Sequence, residues 1–244
     1  MDLMVSMAVI SILIALLLPA VSKVRESTRK VICGSNMRQI GMAISVYTQD
    51  HKERLPGSVF LPQSRYNDLV IPSPERMDAV RLTKSEFPEM GSDLWDGIGL
   101  LYRDEYITAA SIYYCPSHKG NFRYEDVADA WIELNGREEI IANYLYRGMG
   151  PSGMRVLYNI NPTASLVTDT LRSYEDLNHE GGFNILQAGL AVNWLNDVGD
   201  LIALDILSRS GDDGSFSGLD DVWDRLDGLP EVPEDSSDGI GGGG

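Results

Sequence analysis

The residues with the most versatile chemistry in this chain are few and far apart. They are two cysteines, Cys33 and Cys115, and three histidines, His51, His118 and His179. A metal site legible in sequence places two such ligands about one helical turn apart, as in H-E-x-x-H. No pair of these histidines has that spacing, so no metal ligand is assigned. His179 stands before Gly181-Gly182, where an imidazole serves as a ligand, as a base, or as the hydrogen-bonding residue of a turn; the turn role is the simplest. Asp212, Asp213, Asp220 and Asp221 invite calcium, since hard cations take several carboxylates. The Asp-x-Asp-x-Asp-Gly spacing is missing, however, and a solvated acidic segment is the simpler reading. There is no G-x-S-x-G elbow, P-loop or dinucleotide fingerprint. No catalytic residue and no cofactor are assigned, and an enzyme is not expected. Read singly, Cys33 is a small helix-packing residue and Cys115 a buried turn residue, a common fate of free cysteine.

The elements that must position these residues begin with one long helix. Leu3–Val21 is uncharged and apolar, broken only by Ser6, Ser11 and Pro19. Nineteen residues at about 1.5 Å each span roughly 28 Å, enough to cross a bilayer core. No basic segment precedes the run and no small-x-small pattern closes it, so a cleaved signal fits poorly. A run without a polar face also fits poorly as a buried core helix. Asp2 sits directly before it, and a carboxylate near hydrocarbon costs a few kcal/mol unless it is paired or stays hydrated at the headgroups. Lys23, Arg25, Arg29 and Lys30 then form a basic collar. Val24, Thr28, Val31, Ile32, Ile40, Ala43, Ile44 and Tyr47 recur at three- and four-residue steps, a one-sided helical stripe. Leu55-Pro56-Gly57 ends the pattern. Residues 2–50 as one helix would be about 73 Å long, with a bend expected at Pro19.

The remaining chain divides into a head, residues 55–205, and an acidic segment, residues 206–244. Residues 211–244 hold ten Asp or Glu against Arg225 alone. That composition predicts a solvated tail, although Leu219, Val222, Trp223 and Leu226 have the spacing of a short amphipathic helix. In the head, Ile107–Tyr114, Ala142–Tyr146, Arg155–Ile160, Ser165–Thr170, Asn184–Leu186 and Leu190–Leu195 read as short strands. Asp126–Leu134 reads as a helix, and Asn67–Pro88 as a surface connection. The resulting class is α+β, a stem helix packed on an antiparallel sheet. A net charge of −16 excludes a phosphate-tracking nucleic-acid binder.

The stretch Asp2-Leu-Met-Val-Ser-Met-Ala-Val-Ile-Ser-Ile-Leu-Ile-Ala-Leu-Leu-Leu-Pro19-Ala-Val resembles the N-terminal helix of type IV pilins and type II secretion pseudopilins. Asp2 falls on that family's glutamate and Pro19 on its proline. Cys33-Gly-Ser-Asn36-Met-Arg-Gln39-Ile-Gly41-Met-Ala43 is similar to the C-x-x-N-x-x-Q-I-G-x-A stretch of a pseudopilin-like subgroup with a prepilin-type N-terminus and a C-terminal H-x9-D-G segment. Leu94–Tyr106 and Cys115-Pro116-Ser117 resemble further elements of that subgroup, as does Pro162 to Asp169. His179-Glu180-Gly181-Gly182-Phe183-Asn184 matches the start of the H-x9-D-G segment, but Gly189-Leu190 stand where Asp-Gly is expected. The family's basic leader and glycine cleavage site do not precede Asp2, which leaves open an upstream start or an unprocessed chain.

The resemblance implies a structural subunit of a pilus-like or secretion-pseudopilus-like filament in the bacterial envelope. Membrane lipid, other pilin-like subunits and an assembly platform would be its partners. Asp2 would neutralise a neighbouring subunit's amine during assembly. A membrane-anchored binding module that does not polymerise is the alternative. The basic collar after the span would by itself leave the head in the cytoplasm; the family implies a single pass through the inner membrane with an extracytoplasmic head. In that oxidising setting Cys33 and Cys115 would be candidates for a disulfide.

Overall fold

The apolar run and the amphipathic stretch form a single element. In the computed structural model, helix α1 runs Asp2–Asp50, 49 residues with Pro19 inside it. The structure describes residues 2–62, 73–133, 138–169, 171, 177–179, 181–209 and 219–228. The large apolar side chains from Leu3 to Leu18 are each between 51% and 81% exposed, so the first half of α1 projects away from the head. It is the one described helix long and apolar enough to cross a membrane. Hydroxyls on its exposed face bond back within the helix: Ser11 Oγ donates to the Met7 carbonyl and Ser22 Oγ to that of Leu18. Such back-bonding lets a hydroxyl sit in an apolar setting without an unpaired donor.

From Cys33 onward α1 docks on the head. Cys33, Met37, Ile40, Ala43, Ile44 and Tyr47 are buried. Val24, Val31, Met42 and Val46 are exposed, so the expected single stripe is two stripes on opposite faces. At 100° per residue the buried set centres roughly 180° from the exposed one. The head covers one face and leaves the other open.

The head's main sheet has four antiparallel strands in the order β3-β4-β5-β6: Tyr144–Tyr146, Ser165–Asp169, Gly182–Gln187 and Val192–Asn196. Tyr144 pairs with Asp169, Thr168 with Ile185, and Asn184 with Trp194. Helix α1 lies across β5 and β6. The crossing is close at Gly41, where a Cβ would come within 2.8 Å of Leu186 Cδ1. A smaller sheet pairs β1, Ala79–Arg81, with β2, Ile140–Ile141. Short helices α2, Leu100–Arg103, and α3, Tyr124–Glu133, fill one side.

The α+β class and four of the six expected strands stand as read. Two strands are instead 3-10 turns, Ala110–Tyr113 and Leu157–Asn159. In the first, Ala110 and Tyr113 are buried three residues apart, the period of a 3-10 turn rather than of a strand. In the second, Tyr158 is 72% exposed and no alternating face exists. The expected surface connection Asn67–Pro88 contains buried β1, because Met77, Val80 and Leu82 go to the core; its residues up to 72 lie outside the described part.

The acidic C-terminal segment is also more structured than its charge implies. Helices α4, Leu201–Arg209, and α5, Leu219–Leu226, follow the sheet. Asp197 caps α4, accepting from the Ile202 and Ala203 amides. Leu219, Val222, Trp223 and Leu226 are all buried in the main core. Asp220 and Asp221 of α5 are exposed while its apolar face goes in, so buried core residues continue to Leu226. Asp212, Asp213 and residues 229–244 lie outside the described part.

Candidate functional site

Four of the sequence-assigned residues converge where α1 meets the sheet. Cys33 comes from the stem and Cys115 follows the Ala110–Tyr113 turn. Asp169 ends β4, and His179 precedes β5. One ligand-type atom from each lies within 4.8 Å of all the others, and all four residues are buried. Cys33 Sγ donates to Asp169 Oδ1 at 3.1 Å, and the Tyr144 hydroxyl donates to Cys33 Sγ at 3.3 Å. Cys115 Sγ lies 3.5 Å from His179 Nε2. Across the ring, His179 Nδ1 meets Glu26 Oε1 at 2.8 Å. Ser117 Oγ donates to the same carboxylate at 2.9 Å.

A second layer fixes these groups. Asp169 Oδ2 accepts the Asn184 amide at 2.6 Å, and Asn178 Nδ2 donates to Oδ1 at 3.4 Å. Asn178 Oδ1 in turn meets His118 Nδ1 at 2.7 Å. Asn36 Nδ2 donates to the Tyr114 carbonyl at 3.0 Å, tying the stem to the Cys115 turn. Trp194 stacks edge-on against His179, with the Lys30 ammonium over its indole. Gly182 admits that indole, since a Cβ there would lie 2.7 Å from the ring and 2.1 Å from the Leu195 carbonyl.

Electrostatics divide the four residues. Burial pushes the Asp169 carboxyl up, against the pull of His179 and the Asn184 amide. Burial likewise pushes the Cys33 thiol well up, reinforced by Cys115. Burial also acts to raise Cys115, but hydrogen bonds with Cys33 and His179 outweigh it and bring the thiol down to about 7. Burial disfavours a charged His179, yet Cys115, Asp169 and Glu26 raise it to about 9. Cys115 and His179 thus favour a thiolate–imidazolium pair.

Of the sequence-assigned residues, Cys33, Asn36, Cys115, Asp169, His179 and Asn184 meet here. Gly41 and Gly182 shape the packing beside them. Gln39 instead bonds back to the Ser35 carbonyl, Pro116 and Gly181 are exposed, and Asp2 and Pro19 lie on the projecting half of α1. Both cysteines are free thiols engaged with Asp169, Tyr144 and His179, and their sulfurs lie within 4.8 Å of each other. His179 does more than hold a turn: it joins Glu26 of the stem to Cys115. Glu26 was not singled out in sequence. It lies seven residues before Cys33 on the head-facing side of α1, and a carboxylate at a core-facing position is the signal that marks it. A separate cleft of about 480 Å³ at the C-terminal end of α1 is lined by Arg54, Arg103, Arg155, Asp93 and Asp96.

Four convergent donors of soft and hard type support three chemistries: thiol oxidation, proton exchange between Cys115 and His179, and cation binding. Comparison with protein-family models, with curated proteins and with solved structures finds no match to this chain. The architecture, a long apolar N-terminal helix packed on an antiparallel head, is nevertheless pilin-like in general form.

Proposed function

We propose that this chain is a structural subunit of a pilus-like or pseudopilus-like envelope filament. It is held in the bacterial inner membrane by Leu3–Val21 before assembly, with its head on the extracytoplasmic side. The observation that supports this reading most is the second, uncovered stripe on α1. Val24, Val31, Met42 and Val46 are 48% to 66% exposed although they lie beyond the membrane-length segment. A groove of about 490 Å³ runs beside Met42 and Val46, lined on its other side by Ile107 and Ile112. Apolar stem faces of this kind are covered when stems pack side by side, as exposed apolar patches commonly mark contact surfaces. The role is structural, not catalytic, and Asp2 acts in assembly by pairing with a neighbour's amine.

Cysteines introduced together at Ile10 and Leu17 test this in native membranes. Oxidation is expected to give a ladder of covalent multimers, and Asp2→Ala is expected to shorten it. The same substitution should leave head stability within about 0.5 kcal/mol, because its site lies far from the core. Monomers and dimers alone would favour an anchored module that does not polymerise. An unchanged ladder in the alanine variant would remove the role given to Asp2.

A further inference from the structure

The four-residue cluster carries a function independent of filament assembly. We infer that Cys33, Cys115, Asp169 and His179 form a closed, four-coordinate zinc site that clasps the stem to the head.

The donor set is two sulfurs, one nitrogen and one carboxylate oxygen, a combination suited to Zn²⁺ with bonds of about 2.3 Å to sulfur and about 2.0 Å to nitrogen or oxygen. A tetrahedron with those bond lengths has sulfur-to-nitrogen or sulfur-to-oxygen edges of about 3.5 Å. The Cys115 Sγ to His179 Nε2 separation is 3.5 Å and that of Cys33 Sγ to Asp169 Oδ1 is 3.1 Å. All four atoms fall within 4.8 Å of one another, so a single ion reaches each after small side-chain shifts.

The surroundings match a metal centre as well. A histidine ligand characteristically gives its other ring nitrogen to a carboxylate, which fixes its tautomer and orientation. His179 does so with Glu26, and Ser117 holds that carboxylate in turn. Asp169 Oδ2 is saturated by Asn184, leaving Oδ1 to face the sulfurs. A nucleophilic cysteine would not need a second thiol and a buried carboxylate behind it, and Cys115 is only 4% exposed. A disulfide would leave Asp169 without the thiol that contacts it. A divalent cation instead offsets two of the three negative charges of two thiolates and a carboxylate among buried side chains, where unpaired charge is costly.

The ligands come from the stem, the turn after Ala110–Tyr113, the end of β4 and the segment before β5. Zinc would therefore couple docking of α1 to folding of the head, as metal binding does in other structural sites.

The test uses the full-length protein in detergent, reduced, stripped with chelator, freed of it, and titrated with CoCl₂ and then ZnCl₂. One cobalt per chain is expected, with thiolate charge-transfer absorption and the intense visible bands of tetrahedral cobalt, displaced by zinc. Cys115→Ser is expected to remove the charge-transfer intensity in large part. Glu26→Gln, which keeps all four ligands, should weaken binding about 10- to 100-fold. Reduced wild-type protein that gives no thiolate–cobalt absorption overturns the site, whether or not any variant folds. So does cobalt binding that both Cys33→Ser and Cys115→Ser leave unchanged.

Discussion

Replacing Trp223 by alanine is expected to destabilise the head by about 3–5 kcal/mol, the usual cost of deleting a large buried aromatic. Trp223 is 2% exposed, deep in a segment whose composition reads as solvated. It anchors α5 through more than its own burial. The Arg147 guanidinium lies 5.4 Å from the ring centroid and also donates to Asp227 at 2.7 Å. Asp227 in turn accepts the Ser165 amide at the start of β4, at 2.6 Å. Removing the indole leaves this latch without its apolar floor. Urea unfolding of the full chain in detergent measures the loss, and limited proteolysis should release the C-terminal segment from the variant first. A loss below about 1 kcal/mol would mean that α5 adds little to the core.

Stability of the head is expected to fall as pH rises from about 4 to 7, through Asp96. Its carboxyl is 3% exposed, and burial pushes it up to about 7 despite hydrogen bonds from Ser58 and the Val59 amide and the charge of Arg76. A carboxyl whose folded pKa is raised binds its proton more tightly when folded. Its contribution is therefore fullest below the unfolded value of 3.8 and is lost as pH passes through the folded value. The difference between 7 and 3.8 corresponds to about 4 kcal/mol at 1.36 kcal/mol per pH unit, as an order of magnitude. Asp96→Asn lacks this dependence. The stability difference between wild type and variant, followed by urea unfolding at each pH, should shift in favour of the variant by that order between pH 4 and pH 8. Parallel pH curves would show that Asp96 stays ionised in the folded head.

The elements with a strong period were legible in sequence, and those ruled by long-range packing were not. Leu3–Val21 announced itself by length, and β4, β5 and β6 by β-branched and apolar residues between turn signals. The Ala110–Tyr113 turn reads as part of a strand in sequence because short apolar runs fit either structure. Helix α5 was half legible: its spacing predicted an amphipathic helix, while its charge argued for solvent. Burial settled that conflict, since the carboxylates occupy the outer face. The site itself was present as scattered motif residues whose meaning was hidden by separation. Cys33 and His179 stand 146 positions apart in the chain, so a search for ligands one helical turn apart could not join them. Glu26 stands among Lys23, Arg25, Arg29 and Lys30, so in sequence it reads as part of a charged headgroup collar rather than as a residue on the helix face turned toward the head.

Alkaline carbonate extraction of membranes tests most directly whether the first half of α1 leaves the head and enters a bilayer. The full-length chain is expected to stay in the pellet, and Leu13→Arg, at the middle of the apolar run, should shift a large share of it to the supernatant. Complete release of the wild-type chain by carbonate, as a protein that stays monodisperse without detergent, would contradict this insertion, because Leu3–Val21 would then have to be covered by protein rather than by lipid.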